Sequence, residues 1–285
     1  MRELLTIAGY GLRESLRRRM FAVVIFLTLC FLALYAYGTH QAFEDTSGFA
    51  QGNRFDLDTH VVAGAIVFGL AMFATLFLGA ILAVFLTLGI VRSDAEQGLL
   101  QPLVVRPVGR TRLLLARFLG SAAVCLVYVL AVYFATVAIT DWAGGWTPDR
   151  ILAPGLELAV GVVVVAALST LGSVFLTSTA NGIGVLMVFG AGLVGGLLGQ
   201  IGEAIDSERL NRISEIASWV VPFEALYQDG LNRLTSDTYG FTRFALQLGP
   251  FGGSKPASGW LLPWTGTYLL LVGALAAFAF SRRDL

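Results

Sequence analysis

Residues 61–91 read VVAGAIVFGLAMFATLFLGAILAVFLTLGIV, a run of 31 residues without a charged side chain. A bilayer core about 30 Å thick is crossed by roughly 20 apolar residues, because a helix rises about 1.5 Å per residue. A barrel strand would alternate apolar and polar side chains, whereas this run is apolar on every face. The run therefore predicts a membrane-spanning helix. Its length as straight helix, about 46 Å, predicts that the helix tilts strongly or protrudes into the cytoplasm.

Five further apolar runs approach the same length, and the composition agrees with them. Of the 285 residues, 56% are hydrophobic and 13% are charged, against roughly 45–50% and about 25% in soluble domains. So few charges cannot cover the surface of a soluble enzyme, and that class is excluded. We expect an all-α integral membrane protein with six transmembrane helices. The predicted spans are residues 20–38, 61–91, 118–140, 156–176, 182–202 and 260–280.

The arginines predict the orientation. Twelve of them flank the spans on one side: Arg2, Arg13, Arg17, Arg18, Arg19, Arg92, Arg106, Arg110, Arg112, Arg117, Arg282 and Arg283. The short loops on the other side hold only Arg54 and Arg150. Because positive charge concentrates on the cytoplasmic side, both termini are expected in the cytoplasm of a multi-pass protein of the cell membrane. The net charge is zero, so nothing indicates a nucleic-acid partner.

Two segments on the cytoplasmic side have the pattern of structured elements. Residues 1–19 place leucines at helical spacing, which predicts an amphipathic helix on the membrane surface; a charged tail that only sets the topology is an equal alternative. Residues 92–117 form the largest cytoplasmic loop, in which Arg106-Pro107 ends any helix. A new helix capped at Gly109 or Thr111 would make this loop a rigid knuckle. A simple connector remains the alternative.

The fifth span, which leads to the other side of the membrane, carries pairs of glycines four residues apart. These are Gly192, Gly195, Gly196 and Gly199. A face without side chains lets another helix approach closely, and packing within the chain is favoured over a dimer seam. Residues 203–259 are expected to be extracytoplasmic, with apolar residues at helical spacing that predict interfacial helices interrupted at Pro222.

Motifs for catalysis or nucleotide binding are absent from the sequence. It contains no G-x-x-x-x-G-K-[ST], no G-x-S-x-G and no H-E-x-x-H, so we expect no catalytic residues and no cofactor in this chain. His40 and His60 flank an outer loop, where solvated histidines are more typical than a metal site. Glu157 and Glu224 stand in apolar surroundings and are candidates for a pathway or an extracytoplasmic site. For Glu157, reach into the headgroup layer is the alternative.

Three stretches resemble the permease subunits of type 2 ABC transporters. Residues 94–108, DAEQGLLQPLVVRPV, resemble that family's loop of acidic residues followed by G-T-L and L-x-x-R-P-V. Residues 112–120, RLLLARFLG, resemble the segment after it, and the ending FSRRDL is similar to the usual F-x-R-R-D-L. The chain departs from the pattern at Leu99, where the family often has Thr, and at Gln101, where it frequently has an acidic residue. With six spans, the resemblance covers the whole chain.

The resemblance implies how such a chain is assembled. Two ATPase subunits that bind Mg-ATP would dock on a homodimer or heterodimer of permeases, using the N-terminal helix and the loop after the second span. The coupling residues would be Arg92, Asp94, Glu96, Arg106, Pro107, Arg110 and Arg112. The interrupted helices after the fifth span are similar to the family's outer re-entrant elements.

We therefore expect a permease that exports a substrate using ATP hydrolysed by a partner chain. One alternative is a mechanotransmitting membrane scaffold, in which the ATPase acts through residues 203–259 on an extracytoplasmic partner. Another is an exporter of copper or sulfur compounds for metalloenzyme maturation, for which His40 and His60 would have to converge. Membrane lipids surround the chain in every case.

Overall fold

The computed structural model describes residues 19–49, 59–88, 110–148, 150–234, 256 and 258–282. Within these ranges the chain forms eight α-helices and no strand. The helices are α1 (Arg19–Phe49), α2 (Thr59–Thr87), α3 (Arg110–Gly144), α4 (Leu152–Phe175), α5 (Ser178–Ala204), α6 (Glu208–Val220), α7 (Phe223–Leu234) and α8 (Leu261–Ser281). The predicted N-terminal helix and coupling residues 92–109 lie outside the described residues.

The all-α membrane fold predicted from the sequence is confirmed. Six helices, α1 to α5 and α8, are long and apolar enough to cross a membrane, and each contains most of one predicted span. Burial differs among them: 67% of the most apolar window of α4 and 56% of that of α2 are buried, against 17% for α1. The bundle is therefore built around α2 and α4, while α1 lies at its edge.

Several helices extend beyond the predicted spans. The start of α3 is Arg110 rather than a residue near 118, so the last part of the predicted cytoplasmic loop is the first two turns of a membrane helix. Arg112 is exposed on these turns. The second predicted span ends earlier than expected, because α2 stops at Thr87.

A polar network joins α2, α4 and α5 at the turn between α4 and α5. The Asn181 side chain donates from Nδ2 to the Ser169 carbonyl oxygen at 2.9 Å, and Thr87 Oγ1 donates to Ser169 Oγ at 2.5 Å. The turn is shorter than the predicted residues 177–181, because the Thr177 hydroxyl caps α5 by accepting from the Ala180 amide. Asn181 thus lies inside α5, where it ties the two helices together.

The chain alternates direction through the bundle, and different helices meet at the two ends of the bundle. The start of α3 and the ends of α4 and α8 meet in one apolar cluster: Leu114, Val174, Ala276 and Phe280. We call this the loop end, because the loop between α2 and α3, for which coupling is predicted, joins it. At the opposite end α6 and α7 pack on the bundle, and Trp219 of α6 contacts Trp264 at the start of α8. We call this the α7 end.

The glycine face of α5 receives α6 and α7. All four predicted packing glycines are buried: Gly192, Gly195, Gly196 and Gly199. A Cβ added at Gly192 would lie 2.7 Å from Cζ of Phe223, and one at Gly195 would lie 2.7 Å from the Cβ of Ala217. Gly192 and Gly195 therefore pack against helices of the same chain, and no side chain larger than hydrogen fits at either position without displacement.

This packing gives a prediction with a control in the same helix. We expect Gly192→Ala to destabilise the protein by ~1–3 kcal/mol, the usual effect of overpacking, because the Phe223 ring is stacked on Phe189 with centroids 4.8 Å apart. Gly190 has no atom within 4 Å of an added Cβ, so Gly190→Ala should leave stability unchanged or raise it. Thermal unfolding in mild detergent measures both. Equal midpoints for the two variants would contradict the packing described here.

Candidate functional site at the α7 end

The short helix α7 reads FEALYQDGLNRL and is inserted into the bundle against α4, α2 and α5. Apolar contacts hold it there: Phe223 stacks on Phe189, and Tyr227 meets the ring of Phe73 edge-on at 6.4 Å. Pro222, which has no amide hydrogen to donate, separates α7 from α6 and lets the chain turn inward. The sequence of α7 also contains acidic and amide side chains, so its insertion carries polar groups into an apolar bundle.

Three charged side chains form an ion cluster between α7 and α4. The Arg233 guanidinium forms an ion pair with Glu157, with Nε 2.9 Å from Oε1, and it donates from Nε and Nη2 to Asp229 Oδ2 at 2.9 and 2.7 Å. Glu157 and Asp229 are each about 4% exposed. Carboxylates so far from water are stable only when a cation and hydrogen bonds compensate them. Arg233 supplies both, and we refer to these residues as the ion cluster.

The neighbours of the ion cluster bring α7 close to α4. A Cβ added at Gly230 would lie 3.5 Å from Glu157 Oε2 and 3.3 Å from the Met72 methyl group, so a small residue at this position permits the contact. Glu157 lies in the second turn of α4. The second carboxyl oxygen of Glu157, Oε2, is buried and has no hydrogen-bond partner among the described residues.

The electrostatic environment keeps the arginine charged. Its hydrogen bond to Asp229 raises the pKa of Arg233 above the ordinary value, and the Glu157 carboxylate acts in the same direction. The cluster therefore contains one fixed cation between two carboxyl groups. The buried Tyr133 hydroxyl, whose ring packs beside Gly155 of α4, has no hydrogen-bond partner within the described part of the chain.

A second polar pair, Glu224 with Gln228, directly precedes Asp229 on α7. Gln228 donates from Nε2 to Glu224 Oε1, and both side chains are at most 5% exposed. Room for the pair is provided by α5, because a Cβ at Gly196 would overlap Glu224 Oε1. The predicted packing glycine and the predicted acidic residue thus meet at one point.

An open cavity of about 380 Å³ adjoins this second pair, and we call it the α6–α7 pocket. Its walls come from α6, α7 and the residues that lead into α8. Trp264 donates from Nε1 to the Trp219 carbonyl oxygen at 3.0 Å, and their rings meet edge-on at 5.3 Å. Glu215 and Asn211 of α6 complete the polar part of the wall. The site therefore combines carboxylates, amides and indole rings.

The candidate site residues predicted from the sequence do not gather at one place in the structure. Glu157 and Glu224 lie at the α7 end, but Glu157 is buried against α7 rather than reaching outward. His40 is exposed and lies 3.5 Å from Glu44 on the same helix. Within the described ranges, no group of three or more His, Cys, Asp and Glu side chains is placed to hold a metal ion. Arg92, Asp94, Glu96, Arg106 and Pro107 lie outside the described residues.

Three functional candidates escaped the sequence analysis: Gln228, Asp229 and Arg233. They lie between positions 228 and 233 of α7, within the predicted extracytoplasmic segment 203–259. One signal was available, because Asp229 and Arg233 are four residues apart and would pair on one helical face. The sequence gives no sign that this face turns inward to Glu157, since the contact spans 76 positions of the chain.

Six helices long and apolar enough to cross a membrane define a multi-pass membrane protein. The chain matches the family described as ABC-2 family transporter protein over residues 5–285. It therefore belongs to the ABC-2 transporter family, as a permease subunit of an ABC transporter, and membership of this family implies an ATPase partner. No curated protein matches the chain at a significant level.

The ion cluster generates a prediction about stability. Arg233→Met removes the cation that Glu157 and Asp229 both contact, so we expect a loss of ~1–3 kcal/mol. That is less than the roughly 3–5 kcal/mol of a fully buried pair, because Arg233 is 34% exposed. Thermal unfolding in detergent measures the loss.

Arg212→Met is the matched control, since Arg212 is an exposed residue of α6 and its loss should be nearly neutral. Adding Glu157→Gln to Arg233→Met should recover part of the stability, because one buried carboxylate is then neutral. Similar losses in the Arg233 and Arg212 variants would show that the cluster contributes nothing.

Proposed function

We propose that this permease exports a substrate across the cytoplasmic membrane using ATP hydrolysed by two separate ATPase subunits. The observation that carries the proposal is the family match over residues 5–285, in a sequence without a P-loop motif. A chain of this family needs an external source of ATP hydrolysis, and a second permease copy completes the membrane part. The loop end would face the cytoplasm and the α7 end the outside.

Coupling would use the loop after the second span, whose predicted contact residues include Asp94, Glu96 and Arg106. The continuous helix α3 supports this role, because its 35 residues span about 52 Å and begin at Arg110, within the predicted coupling region. Near its other end α3 carries Tyr133, whose ring packs beside Gly155 at the start of α4. A displacement at the loop end would therefore reach the helix that bears Glu157 without a flexible joint.

A mechanotransmitting role is the second candidate, and the exposure of α6 favours it. No residue of α6 is buried, and Ile213, Ile216 and Val220 are about half exposed. Such a surface suits either the membrane interface or an extracytoplasmic partner moved by the ATPase. For copper or sulfur compounds, the described residues offer no supporting feature beyond the exposed His40.

A charge reversal tests the coupling proposal. Glu96→Arg should lower the stimulation of the ATPase that co-purifies with the tagged chain in mild detergent by about tenfold, since a repelled contact of roughly 1.4 kcal/mol corresponds to that factor. Membrane insertion should be unchanged, because the arginines that flank the spans are retained. Glu208→Arg is the control, as Glu208 begins α6 at the α7 end and is exposed.

Two results would count against the proposal. Recovery of the chain without any ATPase, in repeated preparations, would remove the transporter assignment. Unchanged stimulation in Glu96→Arg, with normal insertion, would leave the assignment and remove the docking role of this loop.

A further inference from the structure

The α6–α7 pocket has a charge of one sign. Twelve described residues line it, of which two are glutamates, Glu215 and Glu224, and none is lysine, arginine or histidine. Glu224 is 3% exposed at the pocket's inner side, while Glu215 is exposed on α6. The guanidinium nearest along α7, that of Arg233, is engaged by Glu157 and Asp229 on the α4 side of the helix. A partly enclosed site with two carboxylates attracts a cation.

The same pocket contains aromatic groups that recognise organic cations rather than metal ions. Trp219 and Trp264 line it, and the hydrogen bond from Trp264 to the Trp219 carbonyl oxygen holds their relative orientation. Indole faces attract ammonium groups, and the attraction increases where water is excluded. No group of three or more possible metal ligands exists in the described ranges, which leaves carboxylate and indole recognition as the chemistry of this pocket.

The surroundings of the pocket indicate that the ligand also has an apolar part. Trp260 and Leu262 at the start of α8 are 74% and 52% exposed, and Ile216 and Val220 on α6 are 56% and 58% exposed. Apolar side chains in such numbers at the end of a spanning helix are typical of the membrane interface. A volume of about 380 Å³ is in the range of small-molecule sites.

We infer that the α6–α7 pocket binds an amphiphilic organic cation, with its charged nitrogen at Glu224 and its apolar body beside Trp219 and Trp264. The inference rests on the proposed function only in making this ligand a transported substrate. Binding itself requires the permease alone, so it is measured without an ATPase. Failure of ATPase stimulation would therefore not affect the binding result, and failure of binding would not affect the coupling result.

The experiment titrates ethidium, a permanently charged aromatic cation, into the full chain in phosphatidylcholine nanodiscs and follows fluorescence anisotropy. Saturable binding is expected. Glu224→Gln should weaken it about tenfold or more and Trp264→Leu about threefold to tenfold, because each removes one attraction to the cation. Glu208→Gln is the control for charge, since Glu208 lies on α6 outside the pocket lining, and it should bind as the unmodified chain does.

Further arms separate the alternatives. Phenanthridine, which lacks the fixed charge, should bind much more weakly, and equal binding would overturn the inference. Competition by phosphatidylethanolamine added to the nanodiscs would assign the pocket to a lipid headgroup and overturn it as well. If Glu224→Gln fails to fold, Glu215→Gln on the exposed helix α6 should weaken binding about threefold, and its failure to do so decides against the pocket.

The chain's single lysine supplies the last arm. Lys255 directly precedes the pocket residue Pro256 but lies outside the described residues. Ethidium binding that appears in Lys255→Ala and is absent from the unmodified chain would assign the pocket to the chain's own cation and overturn the inference. Equal binding in both chains supports an external ligand.

Discussion

The contact between Arg233 of α7 and Glu157 of α4 is the interaction on which the architecture of the α7 end depends. Inserting α7 places Glu157, Asp229 and Arg233 in a largely apolar bundle, where each isolated charge would be strongly destabilising. One guanidinium shared by two carboxylates makes the insertion possible. Apolar contacts such as Phe223 on Phe189 then stabilise α7, but they do not select which face of the helix turns toward α4. The ion cluster does, because only one rotation of α7 brings Arg233 to Glu157.

Small residues are the second requirement for this arrangement, and they act at both faces of α7. Gly196 of α5 leaves room for the Glu224 carboxyl group, and Gly230 of α7 itself allows close approach to α4. Without the first, the Glu224–Gln228 pair would be displaced from α5. Without the second, Arg233 would be held further from Glu157. The glycine pattern and the acidic residues are therefore parts of one packing solution, although they are separated along the chain.

The sequence predicts the membrane fold well and the site only in part, and the reason is physical. Six spans follow from hydropathy alone, because the bilayer requires about 20 apolar residues from each helix. The break at Pro222 follows from the chemistry of one residue. The inward position of α7 does not follow, since its polar residues are typical of a surface helix until Glu157 is known to face them. Glu157 and Glu224 are predictable as site residues from their apolar neighbours, whereas Asp229 and Arg233 stand beside polar or small residues such as Gln228, Gly230 and Asn232.

The two polar pairs of α7 follow each other by five residues, Glu224 with Gln228 and then Asp229 with Arg233. Because 3.6 residues make one turn, the two pairs point to different sides of the same helix: the first toward α5 and the α6–α7 pocket, the second toward α4. A rigid 12-residue helix cannot move on one side without moving on the other. In the proposed export cycle, a ligand that displaces Glu224 acts on the contact with α4, and a motion of α4 driven from the loop end acts on the pocket. The proposed cycle requires this reciprocity of a helix that lies between the ligand and the ATPase-driven loop, since binding and conformational change must bias the same equilibrium.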